Sequence, residues 1–165
     1  MAIWKAQRTL LIVGEGYAEE AFLNHVKRLY APRGCGLSVT IKNARGKGAR
    51  HVVDWTRRQI ANVDFDSVAS MLDTDQDWSE PVAKQARTAK ILVLKSEPCF
   101  EALMLRLLGQ SDAGETKVLK KRFAPYVNGE PLRAENYATH FGKGLLESRR
   151  NQEPTINTLL KLFGA

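Results

Sequence analysis

Three carboxylates at alternate positions, Asp73, Asp75 and Asp77, directly follow the apolar run at residues 68–72. Like charges a few ångströms apart repel and raise one another's pKa, so such a cluster calls for a cation or for use of one member as an acid. A second acidic group lies upstream, where Glu15 and Glu19 follow the apolar run at residues 9–13. Hard oxygen donors of this kind suit Mg²⁺ or Mn²⁺, since magnesium takes one or two carboxylates, keeps several waters and binds substrate phosphates. Two such ions would stabilise both the attacking and leaving oxygens of phosphodiester cleavage and would need the further acids. Taken singly, each group has a plainer explanation: Glu15 and Glu19 complement a helix dipole, and residues 73–77 form a polar loop closing a strand. A glutamate after one strand and an Asp-x-Asp after a later one jointly favour a metal site.

Other chemistries fail on their own residues. Gly14-Glu15-Gly16-Tyr17-Ala18-Glu19 begins like a dinucleotide-binding turn, but a glutamate stands in place of the third glycine, and Glu15, Glu19 and Glu20 would repel a pyrophosphate. Residues 73–84 start like a calcium loop, yet Trp78 occupies the position of the turn glycine and Lys84 that of the bidentate glutamate. There is no P-loop motif, and His25, His51 and His140 are too scattered for a zinc site.

The elements that must position these acids follow from the hydrophobic pattern. Short apolar runs bounded by turn residues predict strands at 9–13, 37–41, 67–72 and 90–94. Helical spacing predicts helices over 19–30, over 49–63 with Val52, Val53, Thr56, Ile60 and Val63 inward, and after Pro98, which is read as the helix's first turn. Alternating strands and helices imply right-handed crossovers and a mainly parallel, Rossmann-like α/β sheet of about four strands covered on both faces. Working groups of such sheets collect at the C-terminal strand ends, which brings Glu15, Asp73 and Asp75 to one edge. Beyond residue 109 the pattern predicts a basic helix at 114–123, a loop at 125–132, helix over 135–150 and a last helix at 155–163. These read as additions to the same core, so residues 1–165 form one domain with a core at 8–109 and a helical extension at 110–165.

Charge adds a candidate surface. The net charge is +7, and residues 42–58 carry six bases against one acid, whereas residues 64–80 carry six acids and no base. A basic surface beside an acidic pocket fits a polyanion gripped outside and presented to a metal inside, with Lys42, Arg45, Lys47 and Arg50 as phosphate contacts. Two solvated faces that merely adjoin would give the same charge pattern. Lys95, at the end of the fourth strand, could stabilise a phosphate, although exposure alone explains a lysine there. The chain shows no run long enough to span a bilayer and no secretory leader, and reads as cytoplasmic, with Cys35 and Cys99 as reduced thiols.

The run LIVGEGYAEEAFL resembles the first strand and turn of a Toprim domain, in which a glutamate after strand one faces an Asp-x-Asp after a later strand. Glu15-Gly16-Tyr17-Ala18-Glu19 is similar to the E-G-x-T-E of OLD-type and RloB-type Toprim proteins, and Ser96-Glu97-Pro98-Cys99-Phe100-Glu101 to the S-N-P-C-F-E of RloB-type proteins. Ala18 stands for the threonine and Glu97 for the asparagine. The resemblance implies a Mg²⁺-dependent or Mn²⁺-dependent nuclease acting on DNA or RNA, of a kind associated with mobile elements or phage defence. It assigns Glu15 as acid/base, Asp73 and Asp75 as metal ligands, and Glu19 and Glu101 as candidates for a second metal. No ATPase motif accompanies it, which leaves a stand-alone nuclease or one working with a separate ATPase or defence-system partner. A small RNA-maturase-type enzyme, or a non-catalytic nucleic-acid-binding module with a vestigial metal site, would use the same residues.

Overall fold

In the computed structural model, which describes residues 7–165, the chain alternates strand and helix through its first two thirds. Strands β1 (Arg8–Gly14), β2 (Leu37–Asn43), β3 (Ser67–Asp73) and β4 (Leu92–Ser96) form one parallel sheet in the order β2-β1-β3-β4. Helices α1 (Tyr17–Tyr30), α2 (Gly48–Ile60), α3 (Glu80–Thr88) and α4 (Phe100–Leu107) connect and cover it. Helices α5 (Thr116–Phe123), α6 (Lys143–Arg149) and α7 (Pro154–Leu162) complete the chain, with 3₁₀ turns at Ala124–Val127 and Ala134–Tyr137 between them. Among the described residues no helix is long and apolar enough to cross a membrane.

The two-residue period of a strand divides the interior into two layers. Leu10 and Ile12 of β1 and Ala69 and Met71 of β3 join Phe22, Leu23 and Val26 of α1 and Leu103 of α4 in one buried cluster. Leu11 and Val13, with Val68 and Leu72, pack instead against Val52 and Val53 of α2 and Val82 and Ala86 of α3. One polar pair is sealed into the second layer. Thr56 donates its hydroxyl to the Val52 carbonyl at 2.7 Å, so Ser70 must be the donor in their shared 2.8 Å bond.

The extension belongs to the first layer. Leu119, Phe123, Tyr137, Phe141, Ile156 and Leu159 lie in the same apolar cluster as α1 and α4. Phe22, Phe100, Phe123, Tyr137 and Phe141 meet at centroid separations of 5.6–6.5 Å in edge-on and tilted geometries, which the ring quadrupole favours. His25 is buried there, its Nε2 2.6 Å from the Phe141 carbonyl, and so ties α1 to the extension.

Several expectations need correction. Val63 is 53% exposed because α2 stops at Ile60 and the chain turns out into solvent. The fourth strand starts at Leu92, since residues 89–90 turn out of α3 and Lys90 has a φ of 59°. Helix α3 is absent from the sequence reading, although Ser79 at its N-cap, a proline in its first turn and Val82 and Ala86 four residues apart are ordinary signals. Pro98 precedes the N-cap of α4, Cys99, rather than lying in the helix. Residues 135–150 are a 3₁₀ turn followed by the seven-residue α6, with Gly142 at the N-cap.

Candidate metal and phosphodiester site

In the order β2-β1-β3-β4 the chain reverses its direction of travel between β1 and β3, and side chains beyond their C-terminal ends converge over the resulting crevice. Glu15 follows β1 directly. Its backbone N–H donates to the Met71 carbonyl at 2.9 Å, and its Oε1 accepts the Asp73 N–H at 3.3 Å. Asp73 ends β3. The loop after it is pinned to β4 and the turn beyond, because the Thr74 N–H donates to the Ser96 and Pro98 carbonyls and the Asp75 N–H to that of Pro98.

Gly14 lets helix α1 begin over this crevice. A Cβ there would stand 2.9 Å from Glu19 Cβ and 3.1 Å from the Glu20 nitrogen, so any side chain would displace the first turn of α1. Glu19, in that turn, returns its Oε2 to the Gly16 N–H at 3.0 Å, the glutamate half of a capping box.

The result is a cavity of about 300 Å³ lined by Glu15, Glu19, Asp73, Asp75 and Glu101. Asp73 carries the greatest strain. Burial first, then the charges of Glu19, Glu15, Glu101 and Asp75, push its carboxyl up to about 9. Burial pushes Glu19 up to about 7, reinforced by Glu15 and Glu101. Glu15 is also raised, chiefly by burial, against the lowering effect of the Asp73 N–H. Asp73 Oδ1 is buried without a hydrogen-bond partner, and so is Ser96 Oγ of its register partner on β4. Buried polar atoms are normally satisfied, and an orphaned carboxylate oxygen among like charges is the feature a cation would relieve.

The donor set fits a hard divalent cation held mainly by Asp73 and Asp75, with water and phosphate completing its shell. Among the described residues no group of three or more His, Cys, Asp or Glu side chains is drawn together tightly enough to hold an ion alone. Glu101 lines the cavity as a first-turn acid of α4. Asp77 does not line it; it lies against Gly48, where an added Cβ would come within 3.2 Å of its own.

The basic residues divide. Residues 43–48 dock on the rim, with the Ala44 and Gly46 N–H groups donating to the Gly14 and Glu15 carbonyls, and Gly46 itself lines the cavity. Four consecutive residues there, Arg45, Gly46, Lys47 and Gly48, have φ between 63° and 85°. Left-handed backbone costs non-glycine residues about 1–2 kcal/mol each, and such strain tends to sit at functional sites. Arg45, Lys47 and Arg50 are exposed, while Lys42 Nζ is held by Gln59 Oε1 at 2.9 Å. Lys95 is elsewhere: it pairs with Glu97 at 3.3 Å, on a separate small cavity shared with Arg106 and Glu153.

The structure adds two residues that sequence reasoning missed. Thr116 and Lys120 of α5 line the acidic cavity, bringing a cation from the extension. Their spacing of four residues, which places them on one helix face, was a visible sign. His51 bonds the Ala44 carbonyl at 3.0 Å, and neither it, His25 nor His140 lines this cavity.

Compared with protein-family models, curated proteins and solved structures, the chain gives no match.

Proposed function

We propose that the protein is a divalent-metal-dependent nuclease of Toprim type that hydrolyses phosphodiester bonds of DNA or RNA. The observation that carries this reading is Asp73, whose buried Oδ1 has no partner and whose carboxyl is pushed up to about 9 by burial and four surrounding acids. Asp73 and Asp75 would hold the ion. A bound Mg²⁺ or Mn²⁺ would neutralise phosphate charge and lower the pKa of an attacking water.

The remaining work falls to the chain's own groups. Glu15, raised above its ordinary value chiefly by burial and held against the Asp73 N–H, is suited to exchange a proton with the attacking or leaving oxygen. Lys120, which lines the same cavity, offers positive charge to a phosphate. Arg45, Lys47 and Arg50 supply phosphate contacts along the rim and flank.

Cleavage of labelled DNA and RNA, single-stranded and duplex, in Mg²⁺ or Mn²⁺ tests the proposal. Wild type cuts at least one of them, EDTA stops cutting, and Glu15→Gln and Asp73→Asn each lower the rate by about 100-fold or more, the range of losses for general acid–base groups. Salt-sensitive binding without cleavage of any substrate would instead favour a non-catalytic nucleic-acid-binding module.

A further inference from the structure

Beside the acidic cavity lies a second groove of about 560 Å³, bordered by Tyr17, Lys42, Asn43, Arg45, Trp55 and Gln59. Tyr17 borders both spaces, and Arg45 of the groove is bonded in sequence to Gly46 of the cavity, so the two open side by side. A volume of this size accommodates a nucleotide, since small-molecule sites run from about 300 to 1,000 Å³.

Its chemistry separates into a stacking part and an ionic part. Tyr17 is 54% exposed at the first position of a helix that buries Phe22, Leu23 and Val26. Trp55 reaches the groove from α2 while packing partly against the second core layer, so its indole is held by the fold. The Lys42 ammonium is fixed by Gln59, and Lys42 and Arg45 face a single acid, Glu20. Asn43 Oδ1 accepts the Arg45 N–H at 2.7 Å and so holds the backbone that carries Arg45 into the groove. Aromatic faces beside cations are the ingredients of single-stranded nucleic-acid binding. A duplex keeps its bases stacked on each other and presents phosphates, which would leave Tyr17 and Trp55 without a role.

We propose that this groove receives an unpaired nucleotide adjoining the phosphate in the acidic cavity, its base against Tyr17 and Trp55 and its phosphate toward Lys42 and Arg45, which makes the substrate single-stranded. This deepens the nuclease reading and rests on it for the role of the neighbouring cavity. The base-binding step, however, needs no cleavage and can be measured alone.

The test is fluorescence anisotropy with labelled oligothymidylate, oligouridylate and a duplex of equal length, in EDTA and again with Ca²⁺. The proposal expects at least one single strand to bind more tightly than the duplex. Tyr17→Ala should weaken that binding about ten-fold, within the range of one lost stacking contact, and Tyr17→Phe should restore most of it. Replacing bases by abasic sites should weaken wild type similarly and Tyr17→Ala little further. Binding should also quench indole fluorescence in wild type and not in Trp55→Phe, a substitution that keeps an aromatic ring in the core. Duplex binding as tight as single-strand binding, or Tyr17→Ala and abasic substitution both leaving affinity within two-fold, overturns the proposal. Base-dependent binding with no metal-dependent cleavage upholds the groove and overturns the nuclease reading alone.

Discussion

The charges that stabilise Arg106 are opposite to it in sign, whereas the main charges that act on Asp73 share its own. The Arg106 guanidinium reaches Glu153 at 2.8 Å, Asp112 at 3.1 Å and the Glu97 carbonyl at 2.7 Å, and joins α4 to α7 and to the turn after β4. Its pKa is raised despite the lowering effect of burial, because Glu153 and Asp112 stabilise the cation. Asp73, at the end of the neighbouring strand, has Glu19, Glu15, Glu101 and Asp75 around it and a buried oxygen without a partner. The first cluster is complete in itself and holds elements together. The second is complete only with a proton or a cation, and proteins keep such arrangements where chemistry needs them.

Substitutions should therefore act oppositely in the two clusters. Glu153→Ala leaves a half-buried guanidinium short of its main partner and should destabilise the protein by about 1–3 kcal/mol, read from the urea midpoint at constant slope. Asp73→Asn should do the reverse in EDTA at pH 8, raising Tm by about 2–4 °C for each kcal/mol removed of the cost of keeping Asp73 protonated in the folded state.

The pH dependence sharpens this contrast. Asp73 keeps its proton in the folded metal-free protein up to about pH 9, while the unfolded chain releases it near the ordinary value of 3.8. Between those limits the folded state binds more protons, so metal-free stability falls as pH rises, and Glu19 adds to the slope from 4.5 to about 7. Thermal melts in EDTA across pH 5 to 8 should show Tm declining in wild type and a flatter profile in Asp73→Asn; equal slopes would remove Asp73 from the strained cluster. The smallest effect expected is on the rim. Changing Arg45, Lys47 and Arg50 together to alanine should lower the salt slope of nucleic-acid binding by about one unit per lost phosphate contact. An unchanged slope would take that loop off the binding surface.

Much of this organisation was legible in the sequence, for stated physical reasons. The runs at residues 9–13 and 67–72 read as buried strands because both faces of the sheet are covered, and the acids that follow them meet because parallel strands end at one edge. The convergence of Glu15 with Asp73 over a separation of fifty-eight residues follows from that topology. Helix α3 escapes the pattern because it is nine residues long and buries only Val82 and Ala86, too short an apolar stripe to establish a helical period. The roles of Lys95 and Lys120 could not be read from composition. Strand direction and the Glu97 pairing carry Lys95 to another cavity, and only the packing of Leu119 and Phe123 into the first core layer brings Lys120 to the acidic one. Glu19 illustrates a different difficulty. A glutamate three residues after an N-cap is both a helix cap and a candidate ligand, and its bond to Gly16 shows that one oxygen serves the helix.

The most direct test of this account is Mn²⁺ titration by calorimetry at pH 8, comparing wild type with Asp73→Asn and Asp112→Asn. Wild type should bind Mn²⁺ saturably with release of protons, Asp73→Asn should lose that binding, and Asp112→Asn, from the charge-balanced cluster, should keep it. Absence of binding in wild type, or equal binding in Asp73→Asn, would contradict the assignment of the acidic cavity as a cation site.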